Sequence, residues 1–158
     1  MAETLSIPKT TNRAEIYQAL LPQIESLLTG ETDEIANQAN IVAALREAFG
    51  FFWVGFYRVI ASQLVLGPFQ GPIACTRIAF TRGVCGHCYT TGKTVIVPNV
   101  EEFPGHIACS SASKSEIVVP VRNATGEITA VLDVDSDKLD DFSTVDQQWL
   151  EKIVALLK

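Results

Sequence analysis

From about Asn12 to Leu28 the apolar residues recur every three or four positions: Ile16, Leu20, Ile24, Leu27 and Leu28 form one stripe with polar residues between. That spacing predicts an amphipathic helix. Asn12 and Glu15 have capping-box-like spacing at its start. Pro22 is expected to kink or split it. A second helix is predicted from about Asp33 to Phe49. Ile35, Ala39, Val42, Leu45 and Phe49 would form its buried side, and Gly50 would end it.

The pattern then changes. Phe51 to Ile60 is aromatic and β-branched, and Leu64 to Gly67 and Ile73 to Phe80 are further strand candidates. A short helix from Val84 to Thr91 is closed by Gly92, and Thr94 to Val97 reads as a strand. A long stretch without regular periodicity runs from Pro98 to about Lys114. Glu116 to Val121 and Ile128 to Val134 read as a hairpin joined through Asn123–Gly126. The last helix is predicted over Ser143 to Leu157, capped by Ser143, with Asp146 in its first turn and Trp149, Ile153 and Leu157 facing inward.

Helices at both ends flank a run of strands with short links, which favours antiparallel pairing. The expected class is α+β, with an antiparallel sheet and the terminal helices on one face. The 158 residues suit one domain, 1–158, with residues 1 to about 10 as a flexible N-terminal segment.

Composition adds exclusions. With 47% apolar and 19% charged residues, the chain is of ordinary globular make-up. Its net charge is −6 and its basic residues are scattered, so neither a nucleic-acid face nor a polybasic membrane contact is expected. The N-terminus lacks a basic segment followed by an apolar one, so it does not read as a secretory signal. The apolar run around Phe51 to Tyr57 is far short of the ~20 residues that span a bilayer. The expectation is a soluble cytoplasmic protein.

The four cysteines lie between Cys75 and Cys109. In a reducing compartment, cysteines tend to be catalytic, metal-binding or buried. Cys109 falls in the long irregular stretch, within Gly105-His106-Ile107-Ala108-Cys109, where a thiol can be accessible; the alternative is an incidental loop cysteine. Cys85 follows Arg82-Gly83-Val84 at a predicted helix start. The helix dipole and the arginine would lower its pKa, and the free amides there could bind a carboxylate. The alternative is that the glycines serve only a tight strand-to-helix turn. Cys85-Gly86-His87-Cys88 resembles a redox dithiol or half a zinc site, with Cys75, Cys109, His87 and His106 as further candidate ligands.

Asp133 and Asp135 stand two apart on a strand and so share a face. Close carboxylates raise the pKa of one of them, which makes a proton donor available near neutral pH. A solvated strand end is the alternative, and the same holds for Glu116. On the first strand, Trp53, Gly55 and Tyr57 share a face, and the glycine could leave a gap for a ligand beside an aromatic wall. Ordinary core packing is the other reading.

Together these residues resemble the free methionine-R-sulfoxide reductases, which are single GAF domains. The resemblance runs nearly the full length and is carried by Phe52-Trp53-Val54-Gly55-Phe56-Tyr57, Leu66-Gly67-Pro68-Phe69-Gln70-Gly71, Arg82-Gly83-Val84-Cys85-Gly86, Gly105-His106-Ile107-Ala108-Cys109, Ser115-Glu116-Ile117-Val118 and Leu132-Asp133-Val134-Asp135-Ser136. It implies a GAF fold: an antiparallel sheet of about six strands, terminal helices on one face, and a short helix plus long loop covering a pocket on the other. It also implies Cys109 as the catalytic cysteine, Cys75 as the main resolving one and Cys85 as an auxiliary. Trp53 would wall the substrate methyl group and Tyr57 would line the pocket. Glu116, Asp133 and Asp135 would hold the substrate amino group and polarise the sulfoxide. The partners it implies are free methionine-R-sulfoxide, thioredoxin (with NADPH supplying electrons indirectly) and a second copy in a homodimer. No metal and no bound cofactor are implied. Cys88 stands outside the family's cysteine pattern. A ligand- or redox-sensing GAF module and a zinc-stabilised domain are the competing expectations.

Overall fold

The computed structural model describes residues 4–106 and 111–158. Helix α1 spans Arg13–Leu28, with the Asn12 side chain accepting from the Glu15 N–H at its start. Pro22 does not split it. Proline removes one N–H, but Tyr17, Leu20, Ile24 and Leu28 are buried along one side and hold both halves against the core. Helix α2 spans Glu34–Phe49 and ends at Gly50, whose φ of 64° is the left-handed conformation glycine adopts freely. Its buried face is rotated from the expected one. Gln38, Ile41, Val42, Ala44 and Leu45 point inward, while Ile35 is 46% exposed and Ala39 is exposed. The stripe through Ile41, Ala44, Leu45 and Phe49 wins because it meets α1 and the sheet together.

Strands β1 (Trp53–Ile60), β2 (Gln63–Gln70), β3 (Arg77–Ala79), β4 (Val95–Val97), β5 (Ser115–Arg122) and β6 (Ile128–Ser136) form a sheet of order β3-β2-β1-β6-β5-β4 among the described residues. Every pairing is antiparallel. β2 is longer than expected. Its Pro68 is tolerated because β3 has already ended as a partner at Val65. β3 is shorter: residues 73–76 lie outside the ladder, and Ile73 is 90% exposed.

Strand alternation sorts side chains into two cores. Val54, Phe56, Ile117, Val119, Leu132 and Val134 face α1, α2 and helix α4 (Thr144–Val154). Trp53, Tyr57, Val118 and Val131 face the other way, toward helix α3 (Gly83–Thr91), with Val84, Cys85 and Cys88. The terminal helices therefore share one face of the sheet, and α3 with the segment after β4 covers the other, as the GAF reading expects. α4 starts in a full capping box between Ser143 and Asp146. Asp146 does more than cap: it is buried, accepts from the Tyr17 hydroxyl at 2.7 Å and pairs with Arg13 at 3.1 Å. A 3-10 turn over Ala155–Leu157 follows α4. At the N-terminus, Leu5 packs on the core and Ser6 exchanges two 2.8 Å hydrogen bonds with Gln23. No helix among the described residues is long and apolar enough to cross a membrane.

Candidate active site

Between α3 and the sheet lies a cleft that opens to solvent. Its floor is the outward face of β5 and β6. Glu116 pairs directly with Asp135 across the two strands, and Asp133 is two residues further along the same face. The register thus brings all three predicted acids into the cleft, which each of them lines. Trp53 and Tyr57 of β1 form one wall, with their rings 6.0 Å apart and near-parallel. β1 joins β6 opposite these acids, since Trp53 pairs with Asp135 and Gly55 with Asp133.

Gly55 leaves no gap for a ligand, contrary to the sequence reading. A Cβ there would lie 2.4 Å from Phe69 Cβ and 2.6 Å from the Trp53 ring. The space is already filled by the Trp53 indole, which stacks on Phe69 at 5.3 Å. The glycine permits that ring to lie flat against the sheet, and the ligand space is on the ring's other side.

The wall also anchors the segment before β3. Trp53 Nε1 donates to the Pro72 carbonyl at 3.0 Å, and the Tyr57 hydroxyl donates to the Cys75 carbonyl at 2.9 Å. The Tyr57 bond takes the Cys75 carbonyl within the stretch predicted as a strand, and the observed β3 covers three residues, Arg77–Ala79. Cys75 is disulfide-bonded. Cys109 lies outside the described residues. Cys85 and Cys88 are free thiols.

Cys85 lines the cleft but is only 4% exposed. The expected pKa depression is overturned. Burial, then repulsion from Asp133, Glu116 and Asp135, pushes its thiol well above the ordinary value. Arg82, the N-cap of α3, makes no side-chain capping bond. The tight turn that Gly83 and Gly86 permit is present: Gly83 has φ 67°, and a Cβ on Gly86 would meet the Phe80 carbonyl oxygen at 2.6 Å.

Cys88 does not line the cleft. It is 0% exposed, donates to the Val118 carbonyl at 3.6 Å, and burial pushes its pKa up to about 12. The Cys85-x-x-Cys88 pair therefore forms neither a dithiol facing the cleft nor half a zinc site among the described residues. His87 is exposed on the far side of α3, against Phe103.

Burial raises the pKa of Glu116, Asp133 and Asp135, and repulsion from Asp133 adds to the effect at Glu116 and Asp135. The cleft can thus hold a protonated carboxyl beside a charged one. Asp133 Oδ1 is buried with no hydrogen-bond partner among the described residues, an acceptor left for something bound in the cleft. His106 Nε2 stands 3.9 Å from Glu116 Oε1, and burial lowers its pKa. Ser113, which the sequence did not single out, donates to Asp135 Oδ1 at 3.2 Å. Ile78 and Val84 add apolar lining. Nothing in the Ser111–Ser115 run marks Ser113 in advance, because only the turn into β5 aims it at the cleft.

The GAF domain family matches residues 31–157. The chain is 61% identical over 158 residues to GAF domain-containing protein A of Dictyostelium discoideum, covering 99% of each. It is 43% identical to the free methionine-R-sulfoxide reductase of Escherichia coli, over 93% of this chain and 89% of that one. The Neisseria meningitidis free methionine-R-sulfoxide reductase, solved in complex with its substrate, superposes with a TM-score of 0.92 at 49% identity, covering 98% of this chain and 93% of the other.

Proposed function

The chain belongs to the GAF-domain family and, within it, to the free methionine-R-sulfoxide reductases, and from that premise we propose how its cleft reduces free methionine-R-sulfoxide to methionine. The substrate methyl-sulfur group lies against Trp53 and Tyr57, where sulfur–aromatic contact is favourable. Its ammonium pairs with Asp133 and its neighbours, and its carboxylate meets the N-terminal amides of α3. The observation that carries this reading is the orphaned, buried Asp133 Oδ1 in a cleft lined by Glu116 and Asp135. An apolar wall facing buried acids suits a small zwitterion carrying a thioether-like end. A peptide-bound sulfoxide lacks the ammonium and adds chain on both sides.

Cys109 attacks the sulfoxide sulfur. The oxygen gains a proton from Glu116 or Asp135, methionine leaves, and Cys109 becomes a sulfenic acid. The Cys75 thiol then condenses with it, releasing water and forming a disulfide. Cys75 being disulfide-bonded while Cys85 and Cys88 are free thiols supports Cys75 as the resolving residue. An external dithiol of the thioredoxin kind returns the disulfide to two thiols, with NADPH as the indirect electron source. The electrons come from thiols, so the reaction calls for no bound metal or cofactor. The same reading carries a cytoplasmic setting and a homodimer.

The raised acids bear on a conflict of charge. A carboxylate beside a thiol disfavours its thiolate. With one carboxyl protonated and the substrate ammonium balancing the rest, the attacking sulfur can ionise when substrate is bound. The test is a thioredoxin-coupled NADPH assay with free R-sulfoxide, free S-sulfoxide and a blocked peptide. Turnover confined to the free R form is expected. Equal rates on the peptide would overturn the pocket.

A further inference from the structure

We propose that Cys85, Glu116 and Asp133 form a binding site for one thiophilic divalent cation of the zinc and cadmium class, and that the cation competes with substrate for the cleft. The competition rests on the reading of the cleft given above; the site itself does not.

The Cys85 sulfur and one carboxylate oxygen each from Glu116 and Asp133 all lie within 4.8 Å of one another, and all three residues are buried. In a tetrahedral zinc site the metal sits about 2.3 Å from sulfur and about 2.0–2.2 Å from oxygen, which places ligand atoms roughly 3.5 Å apart. Small side-chain rotations close that difference. The three ligands come from α3, β5 and β6, elements fixed by the sheet and the core beneath it.

A second observation points to a ligand. Asp133 is 6% exposed, lines the cleft, and its Oδ1 has no partner among the described residues. A cation would satisfy that oxygen and offset two buried carboxylates and a thiolate at once. Sulfur in the donor set and a low oxygen count favour zinc or cadmium over magnesium or calcium. Three protein ligands leave a fourth position open toward the cleft, the pattern of an accessible site rather than a closed structural one. Cys88 takes no part, because its thiol faces Val118.

The two occupants need the same oxygen. The substrate ammonium is assigned to Asp133, so cation and substrate exclude each other, and free zinc becomes an inhibitor that responds to substrate concentration.

The disulfide form separates this site from the other thiols, because Cys75 is then bonded and cannot ligate. Cadmium is titrated into that form, following the thiolate-to-cadmium charge-transfer band in the ultraviolet, with zinc measured by calorimetry. One equivalent is expected. Cys85→Ser should abolish the band, Asp133→Asn and Glu116→Gln should each weaken binding about tenfold or more, and Cys88→Ala should keep it. Free methionine-R-sulfoxide, which this form cannot reduce, should displace the metal.

A wild-type protein with no band, or a band that survives Cys85→Ser, overturns the site while leaving the reductase reading standing. Metal binding that saturating substrate does not weaken overturns the competition. Binding in a protein that does not reduce free methionine sulfoxide removes the functional reading and leaves the site. Should Cys85→Ser fail to fold, the two carboxylate variants carry the same comparison.

Discussion

The Tyr57 hydroxyl donates a 2.9 Å hydrogen bond to the backbone carbonyl of Cys75, which joins the wall of the cleft to the segment that bears the disulfide. A parallel bond runs from Trp53 to Pro72. The residues assigned to the substrate thus also hold in place the backbone of the cysteine proposed to resolve the intermediate. Tyr57→Phe keeps the ring and removes the bond. It should lower stability by about 0.5–1.5 kcal/mol and lengthen the life of the sulfenic acid. Trapping that species with a dimedone probe after one equivalent of substrate measures the effect, and a trapping yield equal to wild type would count against a tether.

Gly55 is where β1 accommodates its own tryptophan. Gly55→Ala places a methyl group 2.4 Å from Phe69 Cβ and 2.6 Å from the Trp53 ring. Either the stack separates or the strand shifts, and overpacking of this kind costs about 1–3 kcal/mol. Thermal unfolding should register the loss, and KM for the free sulfoxide should rise as the wall is displaced.

The two cysteines assigned to chemistry should fail in different ways. Cys109→Ser should abolish methionine formation altogether. Cys75→Ser should still release about one methionine per protein before stopping, since attack precedes resolution. A rapid-quench count of methionine formed without added reductant distinguishes them. Sustained turnover by Cys75→Ser would mean that Cys85 takes over the resolving step.

The buried acids set an unusual pH dependence. Unfolded, Glu116 titrates near 4.5 and Asp133 and Asp135 near 3.8; folded, all three are raised, chiefly by burial. Between those values the folded protein holds more protons than the unfolded chain, so stability from this cluster increases as pH falls. It is fully present below the unfolded values and is lost as pH climbs through the folded ones. The melting temperature of the ligand-free protein should therefore rise from about pH 8 to about pH 5, and Glu116→Gln should flatten the slope. A Glu116→Gln profile parallel to wild type would show that the cluster does not control it.

Cys88 should behave as a core side chain. Its thiol is fully buried and its pKa is pushed up to about 12, so thiol reagents should leave it unmodified in the native protein and reach it only on unfolding. Mass-spectrometric mapping of alkylated peptides reads this directly. Rapid labelling of native Cys88 would restore the Cys-x-x-Cys dithiol as a live reading.

Much of the site was legible one residue at a time. The Asp133-Val134-Asp135 spacing alone assigns both acids to one face, because strand periodicity is local. That Glu116 stands opposite Asp135 depends on the register of two strands, and only the folded sheet supplies it. The pKa of Cys85 runs against its sequence context for a similar reason. A helix start and an arginine are visible in sequence, but burial and three carboxylates from distant strands are not, and they prevail. The buried face of α2 is not legible locally because two apolar stripes compete along that segment, and contact with α1 and the sheet chooses between them.

By itself, the order of residues determined the helices, most of the strands, the antiparallel sheet and the identity of the chemical groups, since caps, periodicity and short links act over a few residues. Tertiary structure decided what those groups do to one another: which acids meet, which cysteine of the Cys-x-x-Cys faces the cleft, and which carbonyls leave the ladder for an aromatic side chain. Those outcomes turn on burial and on distances between elements far apart in the chain, and no local pattern encodes either.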